Sequence, residues 1–274
     1  MRRVMHLSDL HFGRTNSAVV LGLREIAQQL DPHLVVVSGD LTQRARKREF
    51  IAARAFLDSL AVPTIVVPGN HDVPLYNVVA RFLAPLDRYR RFLAPEVEPA
   101  FVDDEMVVVG VNTARSLTFK GGRINREQVE RATELFCGMP SERVRILVTH
   151  HPFDLPGTRS PHDLVGRAAM AMSSLRECAP DLLLAGHLHR PGIGTTAERH
   201  DFDGHSAIVV QAGTATSTRG RGARNSFNLI HVDRCDIAID RFDWLPMQKA
   251  FELDSTCRFS RRDGAWVPAG DAGA

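Results

Sequence analysis

The sequence lacks several features that mark common classes of protein. Its four cysteines, Cys137, Cys178, Cys235 and Cys257, are far apart and form no C-x-x-C pair. This spacing argues against a thiolate zinc site and against a disulfide framework, and it predicts free thiols in a reducing compartment. No apolar run approaches the ~20 residues that span a bilayer, and the first residues do not resemble a signal peptide. We therefore expect a cytoplasmic protein without a transmembrane segment.

The chain also lacks a strong charge imbalance. Lysine and arginine together number 34, aspartate and glutamate 32, and the net charge of +2 is too small to predict nucleic-acid binding. No Walker-type Gly-Lys-Ser/Thr loop is present, so nucleotide-driven motor chemistry is not expected. The composition is compatible with either a monomer or a homodimer.

What the sequence does contain is a regular alternation of short apolar runs and helical patterns over its first two thirds. Runs rich in Val, Ile and Leu are too short for ordinary helices and are typical of buried strands. Strand–helix alternation indicates parallel βαβ units in a sheet-based core with helices outside. The predicted strands are 4–7, 34–39, 64–69, 106–112, 145–150 and 181–186, and the predicted helices are 17–30, 45–60, 76–92, 125–138 and 162–179.

The pattern changes from about residue 192. Strand-like pieces at 192–200, 206–213, 226–233 and 235–244 are joined by short turns, which predicts an antiparallel meander that continues a sheet. The repeated RFLAP at 81–85 and 91–95 predicts two short helices that end near Pro85 and Pro95. We expect one domain over 1–246 and a loosely packed tail over 247–274.

Polar side chains follow each of five predicted strands. Carboxyl ends of parallel strands share one edge of a sheet, so these side chains should converge there. Each of these short motifs is weak evidence for a ligand when taken alone, because a lone D-x-H or H-x-H is more often a cap or a surface pair. The residues are Asp9 and His11 after the first strand, Asp40 after the second, Asn70, His71 and Asp72 after the third, His150 after the fifth, and His187 and His189 after the sixth.

The residue types in this set indicate a metal centre. Carboxylate, imidazole and amide groups without thiolates suit Mn, Fe, Zn, Co or Ni. Seven protein ligands exceed what one catalytic ion with open positions needs. Two divalent transition-metal ions that share a bridging carboxylate fit better, about 3.5–4 Å apart.

The order D-x-H, G-D, G-N-H-D, H-x-P and G-H-x-H resembles the calcineurin-like metallophosphoesterase superfamily, from Asp9 to His189. Within that superfamily, the class III cyclic-nucleotide phosphodiesterase group is most similar to the segments SDLHFG, GDLT, PGNHD, THHP and GHLH. The resemblance implies an α/β fold, a four-layer α/β/β/α sandwich of two mixed sheets flanked by helices. It also implies a dinuclear metal centre and hydrolysis of a phosphoester by a hydroxide that bridges the metals.

The resemblance further implies a role for each site residue. Asp9, His11 and His189 would hold one metal, Asn70, His150 and His187 the other, and Asp40 would bridge them. His151 would pack or act behind the ligands, because the family ligand stands two residues before the proline, here Pro152. His71 would contact the scissile phosphate with Asn70 and assist the leaving oxygen. Asp72 would orient His71 or cap the next segment.

Three functions stay open at this point. The first is a phosphodiesterase that acts on a small phosphodiester, with a 3',5'-cyclic nucleotide as the best candidate. The second is a pyrophosphatase that acts on a nucleotide-activated lipid sugar. The third, of another class, is a non-catalytic protein-binding scaffold, which the complete ligand set argues against.

Two further segments have simple interpretations and functional alternatives. Residues 75–95 are expected to pack as an amphipathic pair on the core, but they could form a cap or touch a membrane surface. The Gly-rich loop 217–225 carries Arg219, Arg221 and Arg224 and is expected to be solvated. Within it, Arg219 is the candidate for contact with substrate phosphate.

Overall fold

Two β-sheets form the centre of the protein in a computed structural model that describes residues 1–156, 161–198, 205–219 and 222–269. The first sheet has seven strands in the order β13-β12-β11-β10-β1-β2-β3, and the second has six in the order β4-β5-β6-β7-β9-β8. Their bounds are β1 Arg2–Leu7, β2 Leu34–Val37, β3 Thr64–Val66, β4 Ala100–Val102, β5 Met106–Gly110, β6 Val144–Val148, β7 Leu182–Ala185, β8 Gly192–Thr195, β9 Ile208–Gln211, β10 Ser226–Val232, β11 Asp236–Leu245, β12 Ala250–Arg262 and β13 Ala265–Pro268.

Helices cover the outer face of each sheet. They are α1 Ser17–Leu30, α2 Lys47–Ser59, α3 Val78–Leu83, α4 Asp87–Phe92, α5 Arg126–Cys137 and α6 Ala168–Ser174. Apolar residues of α1, α2 and α4 pack on the first sheet, and those of α5 and α6 pack on the second. A separate apolar cluster lies between the two sheets. The protein is therefore a four-layer α/β/β/α sandwich of two mixed sheets, as predicted.

The apolar strands follow from this double coverage. In β2, Leu34 and Val36 point into the layer between the sheets, whereas Val35 and Val37 pack against the helices. A strand that is buried on both faces needs apolar residues at successive positions instead of an alternating pattern. The parallel pairs β1–β2–β3 and β5–β6–β7 then place their carboxyl ends at one edge of each sheet.

The sequence predicted one antiparallel meander after residue 192, but these strands divide between the two sheets. β8 and β9 form a hairpin in the second sheet, where β9 pairs in parallel with β7. β10 and β11 instead join the first sheet, where β10 pairs with β1. Local periodicity identifies these strands but contains no information on which sheet receives them. The predicted piece at 192–200 extends beyond the described residues after 198.

The expected loose packing of 247–274 is wrong for residues 250–268. β12 and β13 form two edge strands of the first sheet, and Trp266 is 1% exposed within the layer between the sheets. The segment is polar because one face of this hairpin meets solvent, which allows charged side chains at alternate positions. The last residues, 270–274, lie outside the described part of the chain.

The expectation of free thiols is wrong for two of the four cysteines. Cys137 at the end of α5 forms a disulfide with Cys178, which follows α6, while Cys235 and Cys257 are free. The two bonded residues are 41 positions apart, so only the packing of the helices brings them together.

The segment 75–95 contains the two short helices that were predicted, α3 and α4, each ending before a proline. Among the described residues, no helix combines the length and apolar character that crossing a membrane requires.

Candidate metal centre

Five of the predicted site residues stand in loops that leave strands with a left-handed backbone. Their φ angles lie between 48° and 76° at Asp9, His11, Asp40, His187 and His189. Residues other than glycine seldom adopt this region, and they keep it only where surrounding contacts hold it. Backbone strain is therefore concentrated where the ligands were predicted.

Glycines next to these residues allow the loops to approach one another closely. Gly39 has a φ of +90°, and a Cβ atom there would lie 2.6 Å from Nδ1 of His150. At Gly186 a Cβ atom would collide with the hydroxyl of Ser8. Neither position has room for a side chain, and the positive φ of Gly39 also favours glycine there.

The first group of side chains consists of Asp9, His11, Asp40 and His189, all buried. Nε2 of His11 lies 3.2 Å from Nε2 of His189, and Oδ1 of Asp9 lies 3.1 Å from the latter. Oδ2 of Asp40 lies 3.7 Å from Nε2 of His11. Four ligand-type atoms therefore surround one small space.

The second group forms around the amide oxygen of Asn70. Oδ1 of Asn70 lies 3.1 Å from both Nε2 of His150 and Nδ1 of His187. The other carboxylate oxygen of Asp40, Oδ1, lies 3.4 Å from Nε2 of His150. Because its two oxygens face the two groups, Asp40 occupies the position of a bridging ligand.

Backbone carbonyls orient the imidazoles in these groups. A carbonyl that accepts from Nδ1 leaves Nε2 as the free lone pair, which is the arrangement expected behind metal-binding histidines. The pairs are His150 with Ser38 at 2.7 Å, His11 with Thr42 at 3.4 Å and His189 with Arg219 at 3.4 Å.

Electrostatic interactions within the groups favour bound cations. Burial alone would raise the pKa of Asp40, but the neighbouring imidazoles, His150 first, hold it below its usual range. Burial would lower the pKa of His150, yet Asp40, together with Asp9 and the Ser38 carbonyl, raises it to about 9. The carboxylates thus favour a proton on His150, and a divalent cation would displace that proton on binding.

These residues fit a pair of divalent metal ions. Oδ1 of Asp9 is buried, and its contacts within the described part of the chain, Nε2 of His189 at 3.1 Å and Nε2 of His11 at 3.6 Å, lack hydrogen-bond geometry. A buried carboxylate oxygen left in this way is costly unless a cation neutralises it. The carboxylate, amide and imidazole donors suit Mn, Fe, Zn, Co or Ni. The shared Asp40 accommodates two ions instead of one.

His71 stands beside the groups and contacts Arg219. Its Nδ1–H donates to the carbonyl of Gln43 at 2.9 Å, and its Nε2 accepts from Nη1 of Arg219 at 3.2 Å. A guanidinium has no acceptor, so Nε2 carries no proton in this arrangement. Burial also lowers the pKa of His71, although Asp40 opposes the shift. Arg219 therefore supplies the N–H between these two side chains.

His151 lies in a cluster with His150 and His187, but both of its ring nitrogens have other contacts. Nδ1 lies 2.8 Å from the hydroxyl of Thr113, and Nε2 donates to the carbonyl of Lys120 at 3.1 Å. These contacts favour a supporting role over a ligand role.

Asp72 connects two site loops, which differs from both predicted roles. Its carboxylate accepts from the backbone N–H groups of Leu41 at 3.2 Å, Thr42 at 2.9 Å and Gly69 at 2.9 Å, and from the Thr42 hydroxyl at 2.9 Å. Burial, aided by nearby Asp40, raises the pKa of Asp72 to about 6. The carboxylate fixes the loop of Asp40 against the loop of Asn70.

A cleft of about 320 Å³ opens onto the two groups. Lys120 lies at the side of His151, and Arg219 lies at the side of His71 and His189. The residues that line the cleft are Asp40, Asn70, His71, Lys120, Gly121, His162, Asp163, His187, Leu188, His189 and Arg219. A larger cavity of about 650 Å³ beside β11 and β12 contains none of the predicted site residues.

All nine predicted site residues, including Arg219, are thus brought to one place. Sequence reasoning missed Gln43, Lys120, His162 and Asp163. Gln43 follows Asp40 in the same loop, which was a usable signal. Lys120 stands before Gly121-Gly122, and Gly-rich turns after strands often border sites. Of the other arginines of the loop 217–225, Arg224 is exposed and Arg221 lies outside the described residues.

Comparison with known proteins agrees with this arrangement. A family model described as calcineurin-like phosphoesterase matches residues 2–191. Among curated proteins, the glycerophosphodiester phosphodiesterase GpdQ of Enterobacter lignolyticus (strain SCF1) is 37% identical over 78 residues, which cover 24% of this chain and 28% of that protein. This match covers less than a third of the relative's length.

Solved structures share the fold. A dimetal phosphatase from Danio rerio superposes with a TM-score of 0.66 at 14% identity, over 92% of this chain and 98% of that chain. The purple acid phosphatase PPD1 from yellow lupin, Lupinus luteus, gives a TM-score of 0.70 at 13% identity, over 96% of this chain and 54% of that chain. At these identities the likeness establishes the architecture.

Proposed function

Because the chain belongs to the calcineurin-like phosphoesterase family, we propose that it hydrolyses a small phosphodiester, with a 3',5'-cyclic nucleotide as the first candidate substrate. Calcineurin-like phosphoesterases bind a dinuclear metal centre, and this chain has a compatible His/Asp cluster. The observation that carries the proposal is the cleft over that cluster, whose lining includes two cationic residues, Lys120 and Arg219.

The cationic lining of the cleft suits a phosphate ester, because Lys120 and Arg219 both attract the negative charge of its phosphoryl oxygens. The choice of a diester is supported by the similarity to the phosphodiesterase GpdQ.

The chain's own residues have separate tasks in this proposal. One ion would be held by Asp9, His11, Asp40 and His189, and the other by Asp40, Asn70, His150 and His187. When bound, such ions lower the pKa of a coordinated water and neutralise charge on the phosphoryl oxygens.

Arg219 would donate to a phosphoryl oxygen, since its Nη1 group lies beside the cluster. The backbone N–H of His71 donates to Oδ1 of Asp40 at 2.8 Å and so holds the bridging carboxylate in place. The His71 ring is proposed to contact the leaving oxygen once substrate displaces the guanidinium.

The volume of the cleft bears on the choice among substrates. Ligand pockets span roughly 300–1,000 Å³, so a cleft of about 320 Å³ lies at the lower end. A cyclic mononucleotide fits within such a volume, whereas a lipid sugar would extend beyond it. The similarity to GpdQ favours a second candidate of small size, a glycerophosphodiester.

The non-catalytic scaffold predicts a different site. A scaffold has no need for seven ligand-type side chains in a buried cage, because their burial costs stability. The complete set in this chain therefore supports catalysis.

The test is metal analysis of the purified protein followed by a hydrolysis panel. The panel contains cyclic nucleotides, glycerophosphodiesters, bis-p-nitrophenyl phosphate and nucleotide sugars. We expect about two transition-metal ions per chain and turnover of small phosphodiesters in preference to the sugars. Asp40→Ala and His189→Ala should lose more activity than the roughly 10–100-fold that an outer-shell substitution costs.

His71→Ala separates metal binding from turnover. It should keep its metal and lose rate, whereas His231→Ala, a control on β10, should retain both. Unchanged hydrolysis in Asp40→Ala or His189→Ala would refute the proposed centre. Normal rates in His71→Ala would remove its proposed role.

A further inference from the structure

Helix α3 has an inverted distribution of polar and apolar residues. Its apolar side chains are exposed: Val78 by 61%, Val79 by 67%, Phe82 by 50% and Leu83 by 82%. Its arginine, Arg81, is only 2% exposed. A helix on a globular core normally buries the apolar residues and exposes the charge, so α3 is built to present an apolar face outward.

Arg81 joins this helix to a second exposed segment. Its guanidinium donates to the carbonyls of Pro74 at 3.0 Å, Ser116 at 2.7 Å and Thr118 at 2.9 Å, and it stacks 4.4 Å from the ring of Phe119. These bonds fix the loop 115–120 beside α3. Leu117 and Phe119 of that loop are 83% and 61% exposed.

Together these residues form a surface that we call the apolar rim. Most monomeric proteins expose contiguous apolar patches of only a few hundred square ångströms, and larger ones mark interaction sites. The apolar rim comprises Leu75, Tyr76, Val78, Phe82, Leu83 and Phe119, with Val79 and Leu117 beside them.

The apolar rim is continuous with the cleft over the metal cluster and carries positive charge. Lys120, which lines the cleft, directly follows Phe119, and the Arg44 guanidinium lies 5.2 Å from the ring of Tyr76. Residues 114–123 contain three cationic residues and no acidic one. A second copy docked face to face would bring these like charges together.

We infer that the apolar rim docks on an anionic membrane surface. Exposed apolar side chains insert at the boundary between headgroups and acyl chains, and nearby Lys and Arg side chains meet acidic headgroups. Such a surface complements both the apolar side chains and the positive charge around them. Docking would place the mouth of the cleft at the membrane. It does not depend on the proposed hydrolysis.

The experiment is vesicle co-sedimentation of the full chain, both metal-loaded and treated with EDTA. Vesicles of phosphatidylcholine alone are compared with vesicles of phosphatidylcholine and phosphatidylglycerol in equal parts. We expect binding to the anionic vesicles in both metal states, weakened by raising the ionic strength from about 0.05 M to about 0.5 M.

Two sets of variants separate the apolar and ionic contributions. The double variant Leu83→Ser/Leu117→Ser should reduce partitioning by about tenfold or more, while Leu253→Ser, exposed on β12, serves as its control. Arg44→Glu should weaken binding to anionic vesicles only, with Arg24→Glu on α1 as control.

Each result decides the inference. Equal binding by the double variant and wild type, or no preference for anionic vesicles, would overturn it. So would a wild-type dimer in analytical ultracentrifugation that the double variant dissociates, if neither protein binds vesicles. A chain that binds vesicles but hydrolyses no phosphodiester would support the inference and refute only the proposed function.

Discussion

Single residues hold the site loops together, and Asp72 is the example with the most contacts. Each of its carboxylate oxygens accepts two hydrogen bonds from the loops of Asp40 and Asn70. The G-N-H-D motif marks Asp72 in the sequence but does not show what its carboxylate contacts. The contact arises from the meeting of two loops that are about thirty residues apart.

Asp72→Asn should weaken both the fold and the metal site. The amide NH2 would face two N–H or O–H donors, and leaving such buried donors unpaired costs about 1–3 kcal/mol. We expect a loss of that size in urea unfolding, together with weaker metal retention in dialysis. Asp58→Asn, an exposed residue of α2, is the matched control, and equal stability of the two variants would contradict this role of Asp72.

His6 predicts a specific pH dependence of stability. It is fully buried, Nε2 lies 2.9 Å from the Ser38 hydroxyl, and Nδ1 has no partner within the described residues. Burial lowers the pKa of His6 to about 3, although Asp9 opposes the shift. The unfolded chain therefore takes up a proton below about pH 6.5 while the folded chain does not, so stability falls as the pH drops from about 6.5 to about 3.

His6→Gln removes this contribution. Between pH 7 and pH 5, the free energy of unfolding should fall by about 2 kcal/mol less in the variant than in wild type. Urea unfolding at the two pH values measures the difference, with the exposed His33→Gln as control. An identical pH dependence in His6→Gln and wild type would show that His6 does not titrate as stated.

At the scale of elements, the hairpin of β12 and β13 closes the layer between the sheets. Trp266 donates through Nε1 to Oδ1 of Asp181 at 2.8 Å, and Arg261 pairs with the same oxygen at 3.1 Å. Asp181 precedes β7, so these contacts cross from the first sheet to the second. Although this segment is polar in composition, it contains one large apolar side chain, Trp266, which packs in the layer between the sheets.

Trp266→Ala should be strongly destabilising. Removal of a buried tryptophan leaves a cavity and takes away one of the two partners of Asp181 Oδ1, which together cost about 3–5 kcal/mol. Chemical unfolding measures the loss, and Leu253→Ala on β12 should change stability by less than about 0.5 kcal/mol. A loss below about 1 kcal/mol for Trp266→Ala would mean that the hairpin contributes little to the core.

At the scale of the whole molecule, the strand pattern and the family resemblance predicted the layers and the convergence of the candidate site residues, but the sequence did not reveal the long-range assembly. Strands with apolar residues on both faces could be recognised because helices cover both sheets. The ligands could be recognised because each follows such a strand. The allocation of β8 to β11 between two sheets, the Cys137–Cys178 bond and the outward face of α3 depend on contacts between distant segments. No local pattern reports such contacts.

Metal removal should lower the thermal stability of the whole molecule. The two ions would bind side chains that follow strands of both sheets, so EDTA should lower the melting temperature by about 5 °C or more, and Mn²⁺ should restore it. Differential scanning calorimetry measures the shift. Asp40→Ala should show no comparable response, and a wild-type protein unaffected by EDTA would contradict the metal assignment.

The position of β1 has a consequence for how the protein is made. β1 lies between β2 and β10, with Arg2 opposite Val232 and His6 opposite Asn228. Asp9 and His11 extend from this strand, yet β10 leaves the ribosome more than two hundred residues after it. A nascent chain therefore exposes an unpaired edge of β1 until β10 has been made, and the candidate ligands can come together only after His189 has been made.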